Sequence, residues 1–477
     1  MYTLTPIIHP QIHKTLTDKE KMRELQNAFG SPLNLIYPQI VTENLKQFYE
    51  VFASHKIKGE ILYAYKANKS TAILKELSVT NCKIDVASEK ELQQALSAGF
   101  VGARIEATGP KNRAFMRLAL QHSAIINLNS PSELETMLEL REELNILIPT
   151  PVFMRLKEFK SKQTNVIQKD VKFGFSINEA KNALKTIHTH KDNLDFIGFS
   201  FHLTSTSEKE RLVAIEQSLY LTLEAIKLGL DPKGINIGGG FSINYLESST
   251  EWNNYVSAIK ASLLDPTKPS MSWNQSGLGL WAENGKIRGV ATFSDFYRPY
   301  NQFEELNKVL SAELPTFGTI SQFLQENMLH VFIEPGRSML DQSGVTLAKV
   351  GSINTSLKDE TVIFLDMNRS HISSIELEFM SDPLIIPSNA NKKTKAKDGV
   401  FLSGNLCLPH DFICRRKVFF PYSPQPGDIL AFINTAGYFM DFTESETIQH
   451  PHASKLAIHS SGWSLDEKYE PSLITKN

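Results

Sequence analysis

The chain has 477 residues, 41% of them hydrophobic and 21% charged, and its formal net charge is −2 at pH 7. This composition is typical of a globular protein long enough for two domains. The small net charge gives no reason to expect nucleic acid or a membrane surface as a partner, and no apolar run approaches the length of a membrane span.

The cysteines and the N-terminus bear on the cellular compartment. Cys82, Cys407 and Cys414 are too few for a disulfide framework, and their spacing does not predict a metal site. The first residues lack a basic segment followed by a long apolar stretch, so no signal peptide is evident. We therefore expect a cytoplasmic protein without a bound metal.

In chain order, residues 1–29 are polar and irregular, and residues 30–37 predict a strand. From residue 61, short apolar runs alternate with segments that carry apolar residues at three- and four-residue spacing, which predicts parallel βα units. Eight such units indicate a TIM (β/α)8 barrel, although a doubly wound α/β sheet has the same pattern. The predicted barrel strands lie at residues 61–65, 83–86, 104–107, 124–128, 152–156, 196–201, 235–237 and 331–333.

Two later regions depart from this alternation. Residues 245–310 contain three of the four tryptophans, which indicates a folded insertion in the barrel, either a surface decoration packed on itself or an active-site lid. After residue 341, short β-rich runs separated by turn residues predict an all-β domain. The predicted domains are a barrel at 40–340 and a β domain, of barrel or sandwich type, formed by 341–477 and completed by 1–39.

Lys66 follows the apolar run of the first barrel strand. It either emerges into solvent where the strand ends, or it is a Schiff-base lysine whose desolvated amine condenses with an aldehyde such as pyridoxal phosphate. Asp85, His202, Glu334 and the glycines at 238–240 also lie at or just after predicted strand ends. Because TIM barrels have their active sites at the C-terminal ends of the strands, these residues are candidates for one site.

Residues 63–68, Tyr-Ala-Tyr-Lys-Ala-Asn, resemble the cofactor-lysine motif of the fold-type III pyridoxal-phosphate decarboxylases. This family includes diaminopimelate, ornithine, arginine and carboxynorspermidine decarboxylases and, more distantly, alanine racemase. Further matching motifs follow in the family's order at 85–88, 201–205, 238–240, 334–337, Cys407 with Asp411, and 436–438. The resemblance covers about residues 30–440 and favours the barrel over the doubly wound sheet.

The resemblance implies pyridoxal 5′-phosphate as cofactor and assigns roles to the barrel residues. Lys66 would form the Schiff base, His202 would stack on the cofactor ring, and Asp85 would orient Lys66 or the substrate amine. Glu334 would face the pyridine nitrogen and keep it protonated, because a carboxylate favours the cationic form. The residues expected to hold the phosphate are Ser205, Gly238, Gly239, Gly240, Arg337 and Tyr438, although Arg337 could instead pair with Glu334.

The same resemblance implies a homodimer with shared active sites. Cys407 would come from the partner subunit and return a proton after carbon dioxide leaves, so that Lys66, His202 and Cys407 are the expected catalytic residues. Asp411 would help to bind the distal group of the substrate. We expect an amino-acid decarboxylase, with a racemase on the same fold, diaminopimelate decarboxylase itself, and a non-catalytic pyridoxal-phosphate regulator as alternatives.

One position departs from the diaminopimelate decarboxylases. These enzymes have a glutamate directly after the cysteine, where it reads the distal ammonium of the substrate, but this chain has Leu408. An apolar side chain cannot offset the desolvation of an ammonium group. We therefore expect a larger or differently charged amino acid, or an amino-acid-derived intermediate, as substrate.

Overall fold

A computed structural model describes residues 2–159, 171–203, 207–372, 378–388, 396, 398–441, 450 and 452–466. The chain forms two compact units. The barrel unit comprises Val41–Ser242 and Gln302–Met339, and the β unit comprises Met1–Ile40, Ile243–Asn301 and Leu340–Asn477. Within the described residues, every helix is too short or too polar to cross a membrane.

The helices and strands of the described residues are numbered separately, each in chain order. The helices are α1 (Pro10–Thr17), α2 (Lys19–Phe29), α3 (Pro38–Ser54), α4 (Thr71–Ser78), α5 (Glu89–Ser97), α6 (Arg113–Gln121), α7 (Pro131–Glu143), α8 (Ile177–Thr189), α9 (Glu208–Lys227), α10 (Ser249–Leu264), α11 (Gln302–Ser311) and α12 (Ile320–Glu326). The strands are β1 (Leu33–Ile36), β2 (Gly59–Ala64), β3 (Lys83–Val86), β4 (Ile105–Ala107), β5 (Ile125–Leu128), β6 (Thr150–Arg155), β7 (Leu194–Ser200), β8 (Gly234–Asn236), β9 (Leu280–Glu283), β10 (Lys286–Gly289), β11 (Glu313–Leu314), β12 (Gly318–Thr319), β13 (His330–Ile333), β14 (Gly344–Thr355), β15 (Thr361–Leu365), β16 (Leu384–Ile386), β17 (Val400–Ser403), β18 (Phe412–Val418), β19 (Ile429–Ile433), β20 (Ser454–His459) and β21 (Gly462–Leu465).

Eight parallel strands close into the barrel. Strands β2 to β8 pair with their neighbours in chain order, and β13 pairs with both β8 and β2. This confirms the TIM barrel prediction, and the predicted strands agree with the observed ones to within two residues at either end. The apolar strand residues are buried because helices cover the outer face of such a barrel. Inside, Leu62, Ile125, Phe153, Ile197 and Phe332 pack together as one cluster.

The barrel helices begin at polar residues that follow the strands. In the six helices that follow strands β2 to β7, the side chain of the N-cap residue accepts a hydrogen bond from the backbone N–H three residues ahead, which satisfies one of the unpaired amides of the first turn. These N-cap residues are Ser70, Ser88, Asn112, Ser130, Ser176 and Ser207. Local sequence therefore fixes where each loop at the C-terminal end of a strand becomes a helix.

The β unit contains a nine-stranded sheet that confirms the expectation of a second, β-rich domain. Strand β1 of the N-terminal segment lies in this sheet, antiparallel to β14 and parallel to β20. The expectation that residues 1–29 are irregular is wrong, because 10–29 form α1 and α2. Their apolar residues, although sparse, recur at helical spacing and are buried in a core shared with β1, and they include Ile12, Leu16, Met22 and Leu25.

The segment 243–301 belongs to the β unit, whereas the sequence-based division placed 245–310 inside the barrel domain. The physical reason is a common core. Trp252, Tyr255 and Ile259 of α10 are buried in one cluster with residues of the β sheet such as Phe432. The Tyr255 hydroxyl also donates a hydrogen bond to the carbonyl of Lys417. The segment is therefore more than a decoration packed on itself, and its expected role as a lid stays a prediction.

Candidate active site

Lys66 lies at the mouth of the barrel. The chain leaves β2 in a short 3-10 turn, Tyr65–Ala67, in which Tyr65 and Ala67 are buried and Lys66 is exposed. Of the two alternatives for Lys66, a side chain that emerges into solvent and a desolvated Schiff-base lysine, its exposure agrees with the first. Its charge nevertheless acts on Asp85, His202 and Glu334, and its role as the Schiff-base lysine stays a prediction. The Tyr63 hydroxyl fixes this turn by donating a hydrogen bond to the Asn68 carbonyl at 3.1 Å.

The charge of Lys66 acts on the pKa values of two buried carboxyl groups. Asp85 is the penultimate residue of the neighbouring strand β3 and Glu334 follows β13, and their exposed fractions are 2% and 8%. Burial, followed by the charge of Asp85, raises the pKa of Glu334 to about 7, while the charges of Lys66 and Arg155 oppose this rise. Burial likewise raises the pKa of Asp85, and the charge of Lys66 opposes it. The lysine and both acids therefore lie within one electrostatic neighbourhood.

A third carboxyl group, that of Glu106, lies beside them and is absent from the sequence-based prediction. It is fully buried in β4, where it is the register partner of Asp85. Burial, then the charges of Glu334 and Asp85, hold its pKa well above the usual range. The sequence signal for Glu106 was an acid at the centre of a three-residue buried strand. Only the closed barrel reveals which groups this acid faces.

Asparagine side chains link these acids. The Asn127 Nδ2 donates to Glu106 Oε1 at 2.7 Å, and the Asn236 Nδ2 donates to Glu334 Oε1 at 2.8 Å. Ser200 extends the network by donating from its hydroxyl to the Asn127 Oδ1 at 2.8 Å. These amides were also missed by sequence reasoning, since an asparagine inside a strand carries no distinctive signal.

His202 follows β7 and lies next to the glycine-rich turn. Burial, followed by the charges of Lys66, Arg155 and Arg211, lowers its pKa to about 3, so the imidazole is neutral at pH 7. A neutral ring can approach the face of another ring without the cost of burying a charge.

The turn at Gly238–Gly240 needs its glycines. Gly238 and Gly240 have φ of +69° and +82°, and a Cβ at Gly238 would overlap the Phe201 carbonyl oxygen. Gly239 in turn packs against the backbone of Glu334, so the turn is held directly beside the buried acid. Without side chains, its backbone can approach an anion such as a phosphate.

Arg211 supports this turn from α9 and was not predicted. It is 1% exposed, and its guanidinium donates to the carbonyls of Gly239 at 3.0 Å and Gly240 at 3.2 Å. It also stacks on Phe241 with 4.8 Å between the guanidinium carbon and the ring centre. The buried cation thereby fixes the carbonyl side of the turn. Of the other phosphate candidates in the barrel unit, Arg337 is partly buried and Ser205 lies outside the described residues.

The β unit carries the remaining predicted residues. Cys407 is exposed on the loop between β17 and β18, and the neighbouring Leu408 is 40% exposed. Asp411 is 1% exposed, and its two carboxylate oxygens accept the backbone N–H groups of Arg369 and Leu406, both at 2.8 Å. Asp411 therefore holds the Cys407 loop, and direct substrate contact by this residue stays a prediction.

Tyr438 follows β19 in a strained conformation. Its φ of +71° lies in the left-handed region, which is costly for a residue with a side chain and tends to occur at functional sites. The barrel unit thus brings together Lys66, Asp85, His202, the glycine turn and Glu334, whereas Cys407, Asp411 and Tyr438 lie in the β unit.

A TIM barrel with a lysine and buried carboxyl groups at the C-terminal ends of its strands has the architecture of a barrel enzyme. The model of the family "Pyridoxal-dependent decarboxylase, pyridoxal binding domain" matches residues 39–288. The chain therefore belongs to the pyridoxal-dependent decarboxylases, which are carbon–carbon lyases with pyridoxal 5′-phosphate as cofactor.

The similarity to individual proteins extends along most of the chain. The uncharacterized protein y4yA of Sinorhizobium fredii is 28% identical over 90% of this chain and 88% of its own length. The diaminopimelate decarboxylase of Staphylococcus aureus is 26% identical over 88% of this chain and 87% of its own length. The crystal structure of diaminopimelate decarboxylase from M. jannaschii in complex with L-lysine superposes with a TM-score of 0.70 at 19% identity, covering 93% of this chain and 91% of that one, which shows a common fold.

The residues present fit pyridoxal phosphate. Lys66 is an exposed residue beside the carboxyl cluster, and a lysine amine condenses with an aldehyde. The buried Glu334 is a carboxyl group suited to a pyridinium nitrogen. The turn at Gly238–Gly240 has positive φ at two positions and carries no side chain, so a phosphate can approach its backbone. The neutral His202 supplies an aromatic face beside the turn.

Proposed function

We propose that this protein decarboxylates an amino acid or an amino-acid-derived intermediate, as a homodimer whose active sites combine residues of both subunits. The observation that carries the proposal is the placement of Lys66 and the buried Glu334 at the ends of paired barrel strands, β2 and β13. When bound, pyridoxal phosphate supplies the electron sink for the charge that decarboxylation leaves on the substrate. The chain's own side chains would bind and orient the cofactor and the substrate and would transfer the protons.

Each site residue has a defined task in this reaction. Lys66 would supply the amine that condenses with the cofactor aldehyde, and Glu334 would favour a protonated ring nitrogen through its opposite charge. The neutral His202 would pack against the ring. The glycine turn and Arg337 would hold the phosphate, and Asp85 would orient Lys66 or the substrate amine.

The proton for the product comes from Cys407 of a second subunit in this proposal. Its exposure on the loop between β17 and β18 supports the idea, because a thiol that serves a partner must lie on the surface of its own chain. Leu408 lies on the same loop and is also exposed. An apolar group at this position disfavours a substrate whose distal end is an ammonium group, which supports a substrate other than diaminopimelate.

Carbon dioxide release from a panel of amino acids and their acylated or aminoalkyl derivatives tests the chemistry. We expect release from a substrate larger or differently charged than diaminopimelate. Exchange of the Cα hydrogen without carbon dioxide would favour the racemase alternative, and binding of the cofactor without either reaction would favour a non-catalytic regulator. Preferred release from diaminopimelate itself would contradict the substrate proposal.

Mixed dimers test the shared site. Lys66→Ala and Cys407→Ala subunits, each inactive alone, are unfolded together and refolded in equal amounts. If each site takes Lys66 from one subunit and Cys407 from the other, we expect about a quarter of the wild-type activity, because half of the dimers are mixed and each has one intact site. No recovery in dimers shown to be mixed would contradict the shared site.

A further inference from the structure

The carboxyl groups of Asp85, Glu106 and Glu334 at the barrel mouth are linked by one strand pair and one amide. Asp85 and Glu106 are register partners on β3 and β4, and Glu106 is fully buried. The Asn236 Nδ2 lies 2.8 Å from Glu334 Oε1 and 3.3 Å from Glu106 Oε2, so one amide group faces both acids. The orientation of this amide is fixed because its Oδ1 accepts the N–H of Gly238 at 2.9 Å.

The cations of the cluster are distributed unevenly among these acids. The charges of Lys66 and Arg155 act on both Asp85 and Glu334, where they oppose the effect of burial. Glu106 instead faces the two acids and the amide of Asn127, and the charge of Lys83 is the weakest of these influences. The buried Lys111 also interacts with Glu106, but its amine is paired with Glu133 at 3.0 Å.

Neighbouring carboxylates in a buried site cannot all be ionised. The group with the least compensating charge therefore keeps its proton. Within this cluster that group is Glu106, and the two amides around it can accommodate a neutral acid, since the carbonyl oxygen of such an acid accepts N–H donors.

We propose that Glu106 is a positioning residue, a neutral carboxylic acid that holds the Asn236 amide against Glu334 and adds no negative charge beside it. Glu334 is then the acid that ionises when a cationic ring nitrogen approaches. The consequence for catalysis rests on the proposed function, whereas the protonation of Glu106 is a property of the chain alone. The two can therefore fail separately.

Infrared spectroscopy of the cofactor-free protein at pH 8 tests the protonation. The difference spectrum between wild type and Glu106→Gln should show the loss of a carboxylic-acid C=O band. The matched control is Asp195→Asn, an exposed acid on strand β7, which should lose carboxylate bands instead. Loss of carboxylate bands in Glu106→Gln would overturn the proposal, whether or not the protein proves to be a decarboxylase.

Cofactor binding tests the positioning role with a conservative and a non-conservative variant. Glu106→Gln keeps an acceptor for the amides, so its cofactor affinity and the pH midpoint of the bound-cofactor spectrum should match the wild type within about twofold. Glu106→Leu has a similar volume but no acceptor, and we expect about tenfold weaker binding, as for the loss of a hydrogen bond to a charged group. If Glu106 only fills space, Glu106→Leu should bind the cofactor at least as tightly as Glu106→Gln. That order of affinities would refute the positioning role of Glu106.

Discussion

Replacing Glu334 with glutamine removes an ionisable group that the barrel buries. The pKa of this carboxyl is raised from 4.5 to about 7, mainly by burial. Glutamine has nearly the same shape and can still accept the hydrogen bond from the Asn236 Nδ2. The substitution should therefore stabilise the cofactor-free protein at high pH, although it removes the group that faces the ring nitrogen.

The sign of the pH dependence of stability follows from the raised pKa of Glu334. Below about pH 4.5 the group is protonated in both the folded and unfolded states, so the variant and the wild type differ least. Between 4.5 and about 7 the folded protein keeps a proton that the unfolded chain has lost, so the stability of the wild type falls as pH rises. Above about 7 the folded protein carries the full cost, about 3 kcal/mol at about 1.4 kcal/mol for each pH unit.

Urea unfolding of the cofactor-free proteins measures this difference. At pH 5 the free energies of unfolding of the wild type and Glu334→Gln should be close, and at pH 8 the variant should be more stable by about 3 kcal/mol with an unchanged denaturant slope. The exposed Asp195→Asn change serves as the control and should show no such growth. A variant that is less stable at pH 8, or a difference independent of pH, would refute a buried, proton-holding Glu334.

Three further substitutions test other parts of the structure. Gly238→Ala places a side chain on a residue with φ of +69° and against the Phe201 carbonyl, so the cofactor affinity, measured by absorbance titration, should fall at least about tenfold; unchanged affinity would exclude this turn from the phosphate site. Trp252→Ala removes a side chain that is 7% exposed in the core of the β unit, and urea unfolding should show a loss of about 3–5 kcal/mol; a loss below about 1 kcal/mol would mean that 243–301 does not share this core. Asp411→Asn weakens the acceptor for the N–H groups of Arg369 and Leu406, and hydrogen exchange at both amides should be about tenfold faster; unchanged exchange would contradict its role in holding the Cys407 loop.

The alternation of apolar runs and amphipathic helices was sufficient to predict parallel βα units, but it fitted a doubly wound sheet equally well. The motifs that resemble those of the decarboxylases decided for the barrel. The positions of Lys66, Asp85 and Glu334 followed from it, since active sites of barrels lie at the C-terminal strand ends. The choice between an exposed and a desolvated Lys66 did not follow from the sequence. It depends on the 3-10 turn after β2, which the Tyr63 hydroxyl and the Asn68 carbonyl fix.

Glu106, Asn236 and Arg211 could not be found from the sequence because their meaning depends on tertiary neighbours. Glu106 becomes significant only when the register of β3 and β4 places it beside Asp85. Arg211 lies on a helix far along the chain from the turn that it supports. The assignment of 243–301 to the β unit likewise depends on a core formed by residues more than a hundred positions apart.

The most direct measurement of the central claim is the site at which pyridoxal phosphate attaches. The protein with bound cofactor is reduced with borohydride, digested and analysed by mass spectrometry, and the visible absorbance is recorded for wild type, Lys66→Ala and Lys69→Ala. Lys69 is a matched control, because it lies three residues on and pairs with Glu91. We expect the label on Lys66, a coloured Lys69→Ala protein and a colourless Lys66→Ala protein; a label on another lysine, or a wild-type protein that stays colourless with excess cofactor, would contradict the claim.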